Sequence, residues 1–171
     1  MEEGMTEEFI KGRDEKESVP GQVTAGGSPQ SLLERIWGTF PGKRQDIRSY
    51  SGLSLAYIGD AVYDLIIRTA VVSRGNRAVN DLHRAAIRYV SANAQSKMVQ
   101  ALMDSFTEEE KAVYKRGKNA KPHTTAKNAS LADYMRATGF EAVIGYLYLT
   151  DRMDRALELI GKGIELAGFT I

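Results

Sequence analysis

Asp60 and Asp64 stand four residues apart in LAYIGDAVYD, a spacing that puts both carboxylates on one face of a helix. The stretch around them is otherwise apolar. A carboxylate beside a core must be paired, protonated or bound to a metal. Glu141 is placed in the same way, a lone acid in ATGFEAVIGYLYL. Gly139 and Gly145 lie on either side of it, and glycine is unfavourable inside a helix unless another backbone approaches closely. Two such helices, each apolar with small residues and an acid, can cross so that the acids meet. Facing carboxylates without His or Cys suit Mg²⁺, a hard ion that prefers oxygen ligands. The competing reading is ordinary ion pairing: Asp60 and Asp64 with arginines such as Arg68, and Glu141 with solvent or a cation.

A second chemistry is carried by residues 111–127, KAVYKRGKNAKPHTTAK, where Lys111, Lys115, Arg116, Lys118, Lys121 and Lys127 occur without an acid. Gly117, Asn119, Thr124 and Thr125 add flexibility and hydrogen-bonding groups. Phosphate is contacted by such mixtures of cations, hydroxyls and amides, so the segment is a candidate polyanion interface, a solvated loop being the alternative. His83 reads as structural or interface-forming and His123 as a solvated loop residue. Tyr57, Tyr63, Tyr146 and Tyr148 read as core or interface, and Trp37 as a packing anchor.

Composition limits the other possibilities. The chain has 171 residues, 43% of them apolar, enough for one domain with a real core and a tail. A net charge of +1 excludes a uniformly basic coat but not a local basic patch. The absence of cysteine excludes a disulfide framework, a thiolate site and a cysteine nucleophile, and two histidines, His83 and His123, argue against a histidine-rich zinc site. The apolar runs are too short and too charge-broken for a membrane span. The acidic N-terminus has no apolar h-region, so it does not read as a secretory signal, and a cytoplasmic location is expected. Residues 1–30 carry seven acids and three bases and end in VPGQVTAGGSPQ, which reads as a disordered tail. The remainder holds 20 bases against 15 acids.

The elements that must position these residues all read as helices. A short helical segment and linker fill 31–48, with Trp37 and Phe40 as anchors. The domain proper spans 49–171. Its first helix, 53–73, is apolar on nearly all sides and ends near Gly75. A single helix is predicted over 80–105. Thr107 and Glu110 form a capping-box start for a helix reaching about 116. Helices over 130–149 and 151–167 complete an all-α bundle, with no strand and no internal repeat.

Taken together these segments resemble the ribonuclease III catalytic domain, most closely Mini-ribonuclease III, the small bacterial form without a double-stranded-RNA-binding domain. The resemblance covers roughly 49–167. LAYIGDAVYDLIIR resembles the family's signature helix. NDLHRAAIRYVSANAQ, EEEKAVYKRGKNAK, TTAKN and ATGFEAVIGYLYL resemble consecutive blocks of the subfamily, in order.

The resemblance implies an all-α, ribonuclease III-like endonuclease that acts as a homodimer on double-stranded RNA. It points to a precursor of large-subunit ribosomal RNA as substrate, and hence to ribosomal-RNA processing. Asp60 matches the signature aspartate and Glu141 the metal-binding glutamate of the second acidic motif, so both are the implied catalytic and metal-binding residues. Asp64 is a third candidate, directly or through water, and Asp133 a weaker one. The metal is Mg²⁺, with Mn²⁺ as the alternative. It would activate a water for in-line attack, leaving 5′-phosphate and 3′-hydroxyl ends. Lys115, Arg116, Lys118, Asn119, Lys121, Thr124, Thr125 and Lys127 are the candidate RNA-binding residues.

Larger ribonuclease III proteins carry a glutamate where this chain has Ala56 and an aspartate where it has Thr138. The Mini-ribonuclease III pattern shares both changes, so they do not imply inactivation. They do leave fewer carboxylates, and the number of ions per site stays open. So does the need for a ribosomal-protein partner. A two-fold pairing would cover the excess apolar surface of the first long helix. The alternatives are a catalytically silent RNA-binding protein of the same fold and, on composition alone, a helical adaptor.

Overall fold

Two apolar helices crossing at glycines form the centre of the structure. The computed structural model describes residues 30–120 and 130–171. The acidic segment read as a tail lies outside these residues, apart from Gln30. Residues Ser31–Ile171 form one unit. It contains α1 (Leu32–Thr39), α2 (Gly52–Val72), α3 (Val79–Val90), α4 (Ala92–Leu102), α5 (Glu108–Lys118), α6 (Leu131–Leu149) and α7 (Met153–Leu166). Short 3₁₀ turns occupy Ile47–Ser49 and Met103–Ser105. No strand occurs among the described residues, so the fold is all-α. Nor is any helix of the described residues long and apolar enough to cross a membrane.

The central pair is α2 and α6. Ser51 caps α2 by accepting from the Ser54 N–H at 3.0 Å, and Ser130 caps α6 by accepting from the Asp133 N–H at 3.0 Å. At the crossing, a Cβ on Gly59 would sit 1.8 Å from the Glu141 carbonyl oxygen. One on Gly145 would sit 2.0 Å from the Leu55 carbonyl oxygen. Only glycine at both positions lets the backbones come this close. Around the pair, α4 and α5 pack on α6, α3 packs on α2, and α7 closes the bundle against α4 and α6. The core joins Leu55, Tyr63 and Ile67 of α2 to Phe140, Ile144 and Leu147 of α6, and to Met98, Leu102 and Leu159.

The single helix predicted over 80–105 is two helices. Ser91 adopts extended backbone, φ −65° and ψ 146°, ending α3 and capping α4. Its side chain accepts from the Ala94 N–H, replacing the bond that a continuous helix would make to the Val90 carbonyl. Apolar periodicity runs through the break, so the pattern alone conceals it. In α1 the buried anchor is Leu33. Trp37 is half-buried beneath the Arg44 guanidinium at 4.3 Å, whereas Phe40 is 74% exposed and anchors nothing in this unit.

The capping box of α5 forms as expected and does more. Glu110 accepts from the Thr107 N–H at 2.8 Å, and Arg155 of α7 donates to both its oxygens at 2.9 and 3.0 Å. Burial pushes the Glu110 carboxyl up, but Arg155 and the Thr107 N–H outweigh that and hold it below its ordinary value. Glu110→Ala should cost about 1–2 kcal/mol, combining a lost cap with the loss of the buried half of the Arg155 pairing, Arg155 keeping Glu158 and the Ser105 carbonyl. Urea unfolding at neutral pH reads this directly.

Candidate active site

Asp60 follows Gly59 on α2, and Glu141 is the residue whose carbonyl meets Gly59 across the crossing. The glycine contact therefore fixes both acids at one place. Asp60 reaches solvent, whereas Glu141 is half-buried between helices. Burial, and then the Asp60 charge, push the Glu141 carboxyl up to about 8. Gln95 opposes this by donating from Nε2 to Glu141 Oε1 at 3.0 Å. Partial burial and then the Asp64 charge raise Asp60 as well. Tyr63, fully buried beside the site, donates to the Tyr89 carbonyl at 3.0 Å; burial and the Glu141 charge hold its phenol protonated.

The other acids are engaged elsewhere. Asp64 forms an ion pair with Arg68, four residues along α2, the arginine weighed from the sequence. Asp133 accepts from Ser96 Oγ at 2.7 Å and Ser130 Oγ at 2.6 Å. The Ser130 hydroxyl first, and then that of Ser96, hold its carboxyl below the ordinary range. Ala56 and Thr138, the neutral replacements, are both buried, and the Thr138 hydroxyl donates to the Tyr134 carbonyl at 3.0 Å. Among the described residues no group of three or more His, Cys, Asp or Glu is placed to hold a metal ion. Asp60 and Glu141 thus stand as a carboxylate pair.

The basic segment is described in part. Lys115 and Asn119 are exposed on the last turn and C-cap of α5, with Lys118 half-exposed between them. Arg116 turns inward: Nη1 donates to the Arg48 carbonyl at 3.4 Å, and Nε is buried without a partner among the described residues. Lys121, Thr124, Thr125 and Lys127, with His123, lie outside the described residues. His83 is exposed on α3, beside a shallow hollow shared with Arg68 and Val79. The residue that sequence reasoning passed over is Gln95. Nothing local in SANAQSKMV marks it, because the break at Ser91 decides which face of α4 turns to the core.

The fold and this pair define a class. The Ribonuclease III domain model matches residues 53–152, and the chain belongs to the ribonuclease III family. Its relatives include proteins named Mini-ribonuclease 3. The one from Enterococcus faecalis is 49% identical over 128 residues, covering 74% of this chain and 97% of the relative. The one from Clostridium tetani is 48% identical over 124 residues, covering 72% and 82%. A crystal structure of a Fusobacterium nucleatum protein superposes with a TM-score of 0.65 at 34% identity, covering 71% of this chain and 98% of that one.

Proposed function

We propose that this member of the ribonuclease III family is a metal-dependent endoribonuclease that cleaves double-stranded RNA, with precursor ribosomal RNA of the large subunit as its substrate. The observation that carries the reading is the Asp60–Glu141 pair at the helix crossing. Burial and the neighbouring Asp60 push the Glu141 carboxyl up to about 8, and a divalent cation between the two acids would offset that repulsion. The donors are oxygens only, which fits Mg²⁺ or Mn²⁺. Asp60 and Glu141 would hold the ion. When bound, it would supply an activated water and neutralise charge on the scissile phosphate.

What the chain contributes is placement. The glycine crossing holds the two carboxylates on rigid helices, one reaching solvent where a phosphate can approach and one recessed. Asp64, tied to Arg68, adds negative charge next to Asp60 without leaving its own partner. Lys115, Lys118 and Asn119 present cationic and amide groups along the end of α5, and Lys121, Thr124, Thr125 and Lys127 continue that pattern in sequence. Duplex RNA is gripped mainly through phosphates and 2′-hydroxyls across the minor groove, which this mixture suits. No protein nucleophile is required, and the products carry 5′-phosphate and 3′-hydroxyl ends.

The active form is a homodimer. Tyr57 on α2 is 83% exposed, and with Tyr50, Leu53, Ile58 and Leu149 it borders an open apolar hollow. A second copy would cover it and set two sites along one duplex. The protein is expected to work in the cytoplasm.

The test is cleavage of a base-paired precursor RNA in Mg²⁺, in Mn²⁺ and in EDTA, by wild type and Asp60→Asn. Defined cuts that need metal and disappear in Asp60→Asn are expected. Tight, salt-dependent RNA binding without cutting in either metal would instead favour the catalytically silent reading.

A further inference from the structure

The break between α3 and α4 leaves a backbone acceptor free. With the Ala94 N–H turned to Ser91 Oγ, the Val90 carbonyl has lost its helical partner. Gln95 takes it: Nε2 donates to the Val90 carbonyl at 3.2 Å and to Glu141 Oε1 at 3.0 Å. Both hydrogens of one amide nitrogen are thus used, one on a fixed backbone point and the other on the recessed acid of the site. Gln95 is 1% exposed, and its Oε1 is buried without a partner among the described residues. A buried, unsatisfied carbonyl is unfavourable. An apolar side chain of similar length would remove that orphaned oxygen but leave the Val90 carbonyl and Glu141 Oε1 without their donor, so what the amide specifically supplies is a link between those two acceptors.

We propose that Gln95 is the positioning residue for Glu141: anchored on the Val90 carbonyl, its amide nitrogen fixes the Glu141 carboxylate in the orientation that receives the divalent cation. The inference rests on the metal-dependent reading above. Glu141 Oε1 is held by Gln95, and the carboxylate so held would be the group that receives the ion. Without Gln95 the recessed carboxylate turns freely between the helices. Hydrogen-bond partners behind a metal ligand commonly change metal affinity 10–100-fold.

The experiment is Mn²⁺ binding by the full chain without RNA, followed by the electron paramagnetic resonance signal of the free ion. Wild type, Gln95→Met and Glu141→Gln are compared, with urea unfolding of each in EDTA. Gln95→Met is expected to remain folded, unfolding somewhat earlier in urea because the Val90 carbonyl loses its donor, yet to bind Mn²⁺ about 10-fold or more weakly. A folded Gln95→Met with wild-type affinity overturns the inference. If Glu141→Gln also binds like wild type, the metal-site reading itself fails; if only Glu141→Gln is weakened, that reading survives and the role of Gln95 does not. Should Gln95→Met not fold, the wild-type side-chain NH₂ resonances of Gln95 decide. They are expected to shift on Mg²⁺ addition with the midpoint of metal binding, and resonances that stay in place refute the proposal.

Discussion

Gly145→Ala is expected to lower the unfolding free energy by about 3–5 kcal/mol, a very large loss for one added methyl. The Cβ would stand 2.0 Å from the Leu55 carbonyl oxygen and 3.0 Å from the Gly59 nitrogen. Both are backbone atoms of α2, so no side chain can swing aside. Relief requires the two central helices to separate, and interiors packed at crystal-like density transmit that shift instead of absorbing it. Gly59→Ala should behave alike, its Cβ meeting the Glu141 carbonyl oxygen at 1.8 Å. Asp60 and Glu141 flank the contact, so whatever protein still folds should also cleave poorly. Gly161→Ala is the control. It lies inside α7 with nothing within 4 Å of its Cβ, and should stabilise by about 0.5–1 kcal/mol through helix propensity. Urea unfolding of the three variants separates a steric glycine from a merely flexible one.

That crossing was legible because the sequence contains a contradiction. Glycines inside apolar helices are unfavourable, and acids inside them more so; a close helix crossing beside a shared site resolves both at once. The pairing differs in one detail. Gly145 meets α2 as expected, but Gly139 packs on α5, where its Cβ would stand 2.7 Å from the Tyr114 ring. Which neighbour covers a given glycine depends on tertiary packing, and nothing local encodes it. Boundaries set by strong local chemistry were also legible, Thr107 with Glu110 foremost. The α3–α4 break was not, because Leu82, Ala86, Tyr89 and Val90 keep helical spacing into α4 while Ser91 alone turns the chain.

The same limit governs the site. Spacing places Asp60 and Asp64 on one face but cannot say which acid faces the neighbouring helix and which faces an arginine. The structure divides them: Asp60 beside Glu141, Asp64 with Arg68. Gln95 could not be found from spacing at all. Its position at the site depends on the helix break that periodicity hides, and the break is also what frees the carbonyl it holds. A polar residue that is fully buried against an acid is visible only once the helices are placed.

Glu141→Gln should abolish cleavage, by about 10³-fold or more, while making the metal-free protein more stable at alkaline pH. In the folded, metal-free state the Glu141 carboxyl is pushed up to about 8, against 4.5 for an ordinary glutamate. Below 4.5 both folded and unfolded states hold the proton, and stability is indifferent to it. Between 4.5 and 8 the unfolded chain releases the proton and the folded chain keeps it, so stability falls as pH rises; above 8 the penalty is complete. Glutamine removes the ionisation and still offers Gln95 a carbonyl acceptor. The variant should therefore match wild type near pH 4.5 and exceed it by roughly 2–3 kcal/mol at pH 8.5, several degrees in Tm, once partial solvent access is allowed for. Mg²⁺ reverses the order. On the proposed reading it would bind only the folded wild type, and it should raise that Tm with concentration while leaving Glu141→Gln unmoved. Calorimetry at the two pH values, with EDTA and with Mg²⁺, reads all four states. Equal metal-free stabilities at pH 8.5 would mean that Glu141 carries no penalty, and that the pair is an ordinary solvated one and not a site strained toward a cation.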